Sequence, residues 1–215
     1  MTATYLPEEE QDMKDLADLV RKKTNSSRKF QFIPADLTKE SVCQAVVQKH
    51  LDHFGGQLDT LICNHGNQNA ISDITDLDTK QWLDTFDTNI HPFFYLTKAA
   101  IPHLEKSPTR QPTIVFNDSI NAFKGHSSLV DYTSTKGAIL GFARSLNAQL
   151  TGKTGIRINC TSEFLSSRKL VSLISLVLPF RCCPWSDLDS VDVRLNLLSN
   201  LLSLLNPAPT VVHRL

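Results

Sequence analysis

Three side chains in the middle of the chain could together move a proton. Tyr132 and Lys136 stand four residues apart, and Ser119 lies thirteen residues before the tyrosine. On a helix, a spacing of four puts two side chains on one face and within reach of each other. A phenol has an ordinary pKa of about 10, and a nearby ammonium lowers that pKa because it favours the phenolate. The pair could therefore act as a general acid or base.

A serine hydroxyl is the third part of this chemistry. Ser119 follows an apolar run that begins at Thr113, so the sequence places it at the end of a strand. From there its hydroxyl could hold a carbonyl or alcohol oxygen against Tyr132. A tyrosine and a lysine at this spacing are usually ordinary residues of a helix surface. The interpretation therefore depends on the elements around them.

Helices and strands alternate along the part of the chain that must position these residues. Apolar runs predict strands at residues 30–33, 58–63, 113–116 and 155–159. Helical spacing of apolar and small residues predicts helices at residues 7–24, 40–54, 79–104 (with a kink near Pro92) and 132–150 (ended by Gly152). This alternation predicts an α/β, Rossmann-like fold, a parallel sheet with helices on both faces.

Polar residues follow several of the predicted strands. Asp36 comes after the strand at 30–33, and Asn64 and Gly66 come after the strand at 58–63. In parallel sheets, ligands bind in the crevice outside the carboxyl ends of the strands. The sequence therefore predicts one crevice shared by these residues and Ser119.

Composition excludes several classes of partner. The chain has 22 basic and 22 acidic residues, so it carries no electrostatic footprint for nucleic acid. The longest apolar run, residues 170–180, is shorter than the roughly 20 residues that a membrane span needs. The five cysteines lack the spacing of metal ligands, which predicts reduced thiols and no metal site. With an acidic N-terminal stretch where a secretory signal would be basic, a cytoplasmic location is expected.

The combination of motifs resembles the short-chain dehydrogenase/reductase family over residues 2–160. Tyr132 and Lys136 match the family's YxxxK motif, with Ser119 at the usual distance before it. Residues 5–10 further resemble glucose- and polyol-dehydrogenase-like members. The other matching segments are Asp36-Leu37-Thr38 (adenine-contacting region), Cys63-Asn64-His65-Gly66 (in place of NNAG), Asn89 (the family's asparagine-bearing helix) and residues 155–159 (the strand before the PG motif).

The resemblance implies an NAD(P)-dependent oxidoreductase that moves a hydride between the nicotinamide and a small-molecule carbonyl or secondary alcohol, such as a sugar, polyol or specialised metabolite. It implies that Tyr132 is the general acid/base, that Lys136 lowers its pKa and contacts the nicotinamide ribose, and that Ser119 orients the substrate oxygen. Asn89 would support a water relay to the lysine. Asp36, Asn64 and Gly66 would contact the adenosine half of the cofactor. Helix 132–150 resembles the family's oligomer interface, which implies a homo-oligomer.

The sequence also departs from the family's pattern. The glycine-rich TGxxxGxG turn is missing, since the first glycine is Gly55, and the strand that precedes the turn is missing too. Residues 160–163 replace the PG segment. We therefore expect an N-terminally truncated, incomplete dinucleotide-binding domain at 1–161 and a divergent, poorly ordered Leu/Ser-rich tail at 162–215. Such a sheet would lack a bridge between the strands at 30–33 and 58–63.

Two functional questions stay open at this point. The end of the family's second strand usually carries a carboxylate when the cofactor is NAD. Here Tyr5-Leu6 stands near that point, which tilts the prediction toward NADP(H) over NAD(H). The alternative to an active oxidoreductase is a catalytically inactive, truncated pseudo-enzyme with at most an interaction role.

Overall fold

Strands and helices alternate along the described chain, as the hydrophobic pattern predicts. The computed structural model describes residues 1–23, 30–107 and 111–163, and the backbone of residues 176–178. The strands are β1 (Thr2–Tyr5), β2 (Gln31–Pro34), β3 (Thr60–Cys63), β4 (Thr113–Ser119), β5 (Arg157–Glu163) and β6 (Leu176–Leu178). The helices are α1 (Glu10–Lys23), α2 (Glu40–His53), α3 (Thr79–Asn89), α4 (His91–Leu104), α5 (Asn121–Lys124) and α6 (Val130–Thr154), with 3-10 turns at Pro7–Glu9 and Ile74–Asp76.

The six strands form one sheet in the order β2-β1-β6-β3-β4-β5. β1 pairs with β2 in parallel, and β3, β4 and β5 pair in parallel with one another. β6 is antiparallel to both of its neighbours, so the other five strands all run the same way. Their carboxyl ends therefore share one edge of the sheet, as a Rossmann-like α/β fold requires.

The expectation of an unbridged sheet is wrong. β6 lies between β1 and β3, and Val177 pairs with Thr2 on one side and with Leu61 on the other. It comes from residues 162–215, where the sequence predicts no strand. Backbone N–H and C=O groups can pair whatever the side chains are, so a segment without a strand pattern can still cover the two inner edges. The predicted poor order of the tail stays a prediction, because its other residues beyond Glu163 lie outside the described part.

The helical region predicted at 79–104 is two helices. α3 ends and α4 begins at Ile90, whose φ of −124° and ψ of −45° lie off the helical values. Pro92 is the second residue of α4. At that position a helix has no internal partner for the backbone N–H that proline lacks. Pro92 therefore marks a new start and not a kink in one long helix.

Packing of α6 against the core sets the direction in which its side chains point. Leu61, Ile114 and Phe116 are fully buried on the strands, within one apolar cluster that also contains residues of α2, α4 and α6. The buried residues of α6 in this cluster are Ile139, Ala143, Leu146 and Leu150. Tyr132 and Lys136 precede them on the same helical stripe, seven and three residues before Ile139. Burial of that stripe therefore fixes the direction of both side chains.

The end of α6 differs slightly from the prediction. The helix continues past Gly152 to Thr154 and stops at Gly155, which has a left-handed φ of 73°. A residue with a Cβ would be strained there, and glycine is not. Gly155 and not Gly152 therefore ends the helix, because a glycine inside the last turn costs only about 1 kcal/mol.

Candidate active site

The predicted pair on α6 is buried where this helix meets the end of β4. Tyr132 and Lys136 are 2% and 3% exposed. The Lys136 Nζ lies 5.5 Å from the centroid of the Tyr132 ring. It donates a hydrogen bond of 2.7 Å to the backbone carbonyl of Asn117 on β4. The backbone of the strand therefore holds the ammonium beside the phenol.

The start of α6 is anchored by a residue that the sequence reasoning missed. Asp131 is 1% exposed. Its carboxylate accepts hydrogen bonds from the Tyr132 backbone N–H at 2.8 Å, the Thr85 hydroxyl at 2.9 Å and the Gln81 amide at 3.1 Å. These bonds tie α6 to α3. An acidic residue in the first turn of a helix is favoured by the helix dipole. The position of Asp131 in the first turn of α6 is the feature of the sequence that indicates such a role.

Asn89 fastens the loop after β3 to α6. Its side chain is fully buried. The amide oxygen accepts from the Asn67 N–H at 2.7 Å, and the amide nitrogen donates to the Asn67 carbonyl at 2.7 Å and to the Thr135 hydroxyl at 3.2 Å. Thr135 in turn donates to the Tyr132 carbonyl at 2.7 Å. Asn89 thus has a visible structural role, and its predicted water relay stays a prediction.

Gly66 lies at the junction of these groups. A Cβ added to it would lie 3.6 Å from the Asn89 Oδ1 and 3.9 Å from the Lys136 Nζ. A longer side chain at this position would therefore reach both groups. The structure brings Gly66, Asn89 and Lys136 together, as the predicted site requires.

Ser119 and Asn64 lie at the ends of neighbouring strands. Ser119, the last residue of β4, is buried, and its Oγ accepts a hydrogen bond of 3.2 Å from the Asn121 N–H. The hydroxyl hydrogen can still be donated to another oxygen. Asn64 Oδ1 accepts from the Asn117 side-chain amide at 2.6 Å, which links the ends of β3 and β4.

A cavity of about 210 Å³ adjoins this cluster at the ends of β1, β2 and β3. Two predicted cofactor residues, Asp36 and Gly66, line it, whereas Asn64, Tyr132 and Lys136 do not. The other lining residues are Thr4, Tyr5, Leu6, Glu9, Ala35, Leu37, Thr38, His65, Thr88 and Pro92. Gly66 is therefore the point where the cavity and the buried tyrosine–lysine cluster meet.

The cavity carries negative charge. Asp36 Oδ1 accepts from the Thr38 hydroxyl at 2.7 Å and from the Thr38 N–H at 3.1 Å, and these bonds, the hydroxyl first, hold the pKa of the Asp36 carboxyl below its usual value. The Glu9 carboxylate accepts from the Leu6 N–H at 3.0 Å. Among the described residues that line the cavity there is no lysine or arginine, and the Lys39 Nζ lies 3.9 Å from the Asp36 Oδ2. The cavity therefore suits a neutral group with hydroxyl donors better than an extra phosphate.

His65 is a neutral member of the cavity wall. It is buried, and its ring centroid lies 4.8 Å from that of Phe93. Burial lowers the pKa of His65 to about 3, and the nearby charge of Lys136 adds to the effect. The imidazole is therefore uncharged near neutral pH.

Asp118 is a second carboxylate that the sequence reasoning missed. It lies on β4 between Asn117 and Ser119 and is 2% exposed. Within the described structure, neither of its carboxylate oxygens has a hydrogen-bond partner. Burial raises the pKa of Asp118, while the Ser119 N–H and the charge of Lys136 act in the opposite direction. Nothing in the local pattern of a strand end distinguishes such a residue from an exposed one.

The described part of the chain offers neither a metal-binding cluster nor a membrane-spanning helix. Its residues include no group of three or more His, Cys, Asp or Glu placed to hold a metal ion. No described helix is both long enough and apolar enough to cross a bilayer. Cys43, Cys63 and Cys160 are free thiols, whereas Cys182 and Cys183 lie outside the described residues.

Similarity to known oxidoreductases covers most of the chain. An NADPH-dependent aldehyde reductase 1, chloroplastic, from Arabidopsis thaliana is 38% identical over 158 residues, 73% of this chain and 53% of that protein. The glucose and ribitol dehydrogenase of Daucus carota is 38% identical over 152 residues, 70% of this chain and 50% of that protein. The chain thus spans about half the length of the curated relatives it matches.

A solved structure and a family profile agree with these relatives. The NADH-dependent reductase A1-R' complexed with NAD superposes with a TM-score of 0.57 at 27% identity, covering 61% of this chain and 56% of that chain. The profile of the family described as short chain dehydrogenase matches residues 5–163, which are more than half of the 215 residues. The chain therefore belongs to the short chain dehydrogenase family.

Proposed function

We propose that this chain is an NAD(P)-dependent oxidoreductase that interconverts a carbonyl and a secondary alcohol, with Tyr132 as the proton donor and acceptor. The observation that carries the proposal is the buried contact between α6 and β4. The Lys136 ammonium lies 5.5 Å from the Tyr132 ring and is fixed by the Asn117 carbonyl. A cation held beside a phenol favours the phenolate and so makes proton transfer accessible near neutral pH.

The roles of the other residues follow from their positions. In the reducing direction, Ser119 donates its hydroxyl hydrogen to the substrate oxygen, and Tyr132 delivers a proton to that oxygen. In the oxidising direction, the tyrosine removes the proton. A bound nicotinamide supplies or accepts the hydride. Asn89 holds the loop that carries Gly66 close to Lys136. It therefore keeps the cavity wall next to the tyrosine–lysine pair.

The cavity supports binding of the adenosine half of the cofactor. Asp36 and Glu9 offer carboxylate oxygens that can accept hydrogen bonds from ribose hydroxyls, and Gly66 leaves room beside the wall. This donor set fits a nucleoside. The sequence contains no glycine before Gly55, so the turn that holds the diphosphate in the family is not among these residues.

Cofactor preference depends on what faces a ribose 2′-position. The sequence prediction of NADP(H) rests on the lack of a carboxylate at Tyr5-Leu6. Glu9 lines the same cavity a few residues later, and its charge opposes a 2′-phosphate. We propose that the chain binds NAD(H) at least as tightly as NADP(H). The relatives' names differ on this point, since one is NADPH-dependent and one is NADH-dependent.

The substrate is proposed as a sugar, a polyol or a small aldehyde. The carrot relative is named for glucose and ribitol, and the Arabidopsis relative for aldehydes. The resemblance of residues 5–10 to polyol-dehydrogenase-like members points the same way. The cytoplasmic location expected from the sequence stays a prediction, and one relative is named chloroplastic.

Self-association through residues 132–150 is also proposed. Gly137 and Gly141 are exposed on α6, and a Cβ at either position would meet no other atom within 4 Å. Such a surface allows a second helix to approach closely.

The buried tyrosine–lysine contact and the match to oxidoreductases support activity over the alternative of an inactive chain.

The test of the proposal compares two tyrosines. Purified chain is titrated with NADH and with NADPH by fluorescence, and turnover is then measured on a panel of aldoses, polyols and aldehydes. Tyr132→Phe should lower turnover by about 100- to 10,000-fold, because that is what a general acid or base contributes, while cofactor binding stays intact. Tyr95→Phe, on α4, is the matched control and should change neither. Activity that survives Tyr132→Phe would refute the proposed chemistry.

A further inference from the structure

Asp118 is placed in a setting that a structural aspartate would avoid. It lies within β4, between the residue whose carbonyl binds the Lys136 ammonium and the proposed substrate-orienting Ser119. The even-numbered residues of β4 that precede it, Ile114 and Phe116, are fully buried in the apolar cluster. Strand alternation puts Asp118 on that same face. Its carboxylate is thus directed into the interior at the end of the strand that carries the site.

The lack of hydrogen bonds separates Asp118 from other buried carboxylates. Neither of its oxygens has a hydrogen bond of ordinary geometry in the described structure, and the backbone donor that acts on it is the N–H of the adjacent Ser119. Asp131 accepts three hydrogen bonds, and Asp59 accepts one from the Ser107 hydroxyl. A buried carboxylate without partners is costly to the folded state. A role in function, and not in stability, would explain why an aspartate is present at this position.

The Lys136 ammonium on α6 favours the ionised form of the Asp118 carboxyl and so opposes the effect of burial on its pKa. From β5, Ser162 pairs with Asp118 in register, and Cys160 is a neutral thiol, because burial first and the charge of Asp118 second raise its pKa to about 11. The other titratable groups of the described residues near this end of β4 include Glu163 on β5, which pairs in register with Ser119, and Arg144 on α6, which acts on Cys160. Neutral His65 of the cavity wall and Tyr132 itself complete this set.

We propose that Asp118 is a positioning residue of the active site, whose buried negative charge offsets the field of Lys136 and keeps the Tyr132 phenol protonated over a wider pH range. The proposal rests on the proposed role of Tyr132 as the proton carrier. A protonated phenol is the form that can donate to a carbonyl oxygen, whereas the phenolate is the form that can remove a proton from an alcohol. Asp118 therefore extends carbonyl reduction to higher pH at the expense of alcohol oxidation.

The test reads the ionisation of Tyr132 directly and needs no turnover. The near-ultraviolet absorbance of tyrosinate is titrated for each protein and for the same protein with Tyr132→Phe, and the difference isolates Tyr132. Asp118→Asn removes the charge and keeps the shape. We expect the Tyr132 midpoint to move to lower pH, since removing a buried negative charge near Lys136 favours the phenolate.

The control is Asp59→Asn, which removes a buried carboxylate from outside the site and should leave the Tyr132 midpoint unchanged. Asp118→Ser provides a second, smaller neutral side chain, and it should give the same shift if the charge and not the shape is responsible. An unchanged midpoint in both Asp118 variants would overturn the proposal. If both midpoints move but Tyr132→Phe leaves turnover intact, the electrostatic link stands and the proposed function fails.

Where turnover is measurable, the pH profile gives a readout that a merely structural role would not move. Reduction by the Asp118→Asn chain should lose its rate at a lower pH than reduction by the native chain. Oxidation should reach its full rate at a correspondingly lower pH. Parallel losses at every pH would mean that the substitution only damages the fold, and this result would also refute the proposal.

Discussion

Asp131 and Asp118 are equally hidden from solvent but differ in what surrounds them. They are 1% and 2% exposed. The carboxylate at the start of α6 accepts three hydrogen bonds, whereas within the described residues the one at the end of β4 has no hydrogen bond of ordinary geometry and is acted on by the adjacent Ser119 N–H. The two carboxylates are thus equally buried, and they differ in the number of hydrogen bonds that they accept. Asp131 holds the start of α6 against α3, whereas the proposed role of Asp118 depends on its charge.

The largest effect is expected from the satisfied aspartate. Asp131→Ala removes the acceptor that joins α6 to α3, and the free energy of unfolding should fall by about 3–5 kcal/mol, since a hydrogen bond to a charged group contributes about 1.5–3 kcal/mol and the three are not additive. Urea unfolding measures this change. Asp76→Ala, in an exposed 3-10 turn, is the control and should change little. A loss below about 1 kcal/mol would remove the contrast between the two aspartates.

A buried histidine provides a second satisfied group with a pH signature. His50 is fully buried, and its Nε2 lies 2.9 Å from the Gln57 carbonyl and its Nδ1 2.9 Å from the Thr2 hydroxyl. Burial lowers the pKa of His50 from 6.5 to about 4. The fold therefore favours the neutral ring, so this stability is fully present above pH 6.5 and is lost as the pH falls toward 4, by roughly 3 kcal/mol.

Unfolding free energies between pH 7 and pH 4 test this expectation. His65 contributes a loss of the same sign, since its pKa is also lowered by burial. His50→Asn should therefore flatten the dependence without abolishing it. A variant whose slope equals that of the native chain would show that His50 is not a proton-linked part of the fold.

Asp118 should show the opposite sign and a smaller size. Its pKa is raised by burial, so the folded state binds the proton more tightly than the unfolded state. The stability that this group contributes is present below its ordinary pKa of 3.8 and is lost as the pH rises through the raised value. Asp118→Asn should accordingly raise the free energy of unfolding near pH 7 by about 1–2 kcal/mol, with little gain near pH 3. If Asp118→Asn instead lowers the free energy of unfolding at pH 7, the expected difference between Asp118 and Asp131 is wrong.

The smallest effect isolates one of the three bonds of Asp131. Thr85→Val removes the hydroxyl that donates at 2.9 Å and keeps the shape of the side chain. We expect a loss of about 1 kcal/mol. Added to Asp131→Ala, the same change should cost less, because only the hydrogen bond of 2.8 Å from the Thr85 hydroxyl to the Gln81 carbonyl is then left to lose. Additive losses in the double variant would show that Thr85 acts through some other contact.

Local pattern was enough to predict most of the helices and strands. The strands at Gln31–Pro34, Thr60–Cys63 and Thr113–Ser119 coincide with apolar runs because each is buried against the same cluster. The direction of Tyr132 and Lys136 could be predicted for the same reason, since both continue the buried stripe of α6. The parallel sheet and the shared strand ends then followed from chain order.

The failures have a common physical origin in long-range contacts. β6 pairs through its backbone, and backbone pairing leaves no trace in the order of side chains. The acceptor role of Asp131 depends on Thr85 and Gln81 from another helix, and the isolation of Asp118 depends on what is absent around it. The break at Ile90 was missed because Pro92 is compatible with both a kink and a first turn.

The antiparallel β6 also sets the order in which the molecule can be assembled. Its pairing joins residue 2 of the chain to residue 177, one of the longest loops the chain could close. Ribosomal synthesis exposes β1 and β3 long before the segment that joins them exists. Until then, two inner edges remain unpaired and can accept a strand from another chain. Because long-range strand pairing is slow, we expect the last step of folding to be the insertion of β6.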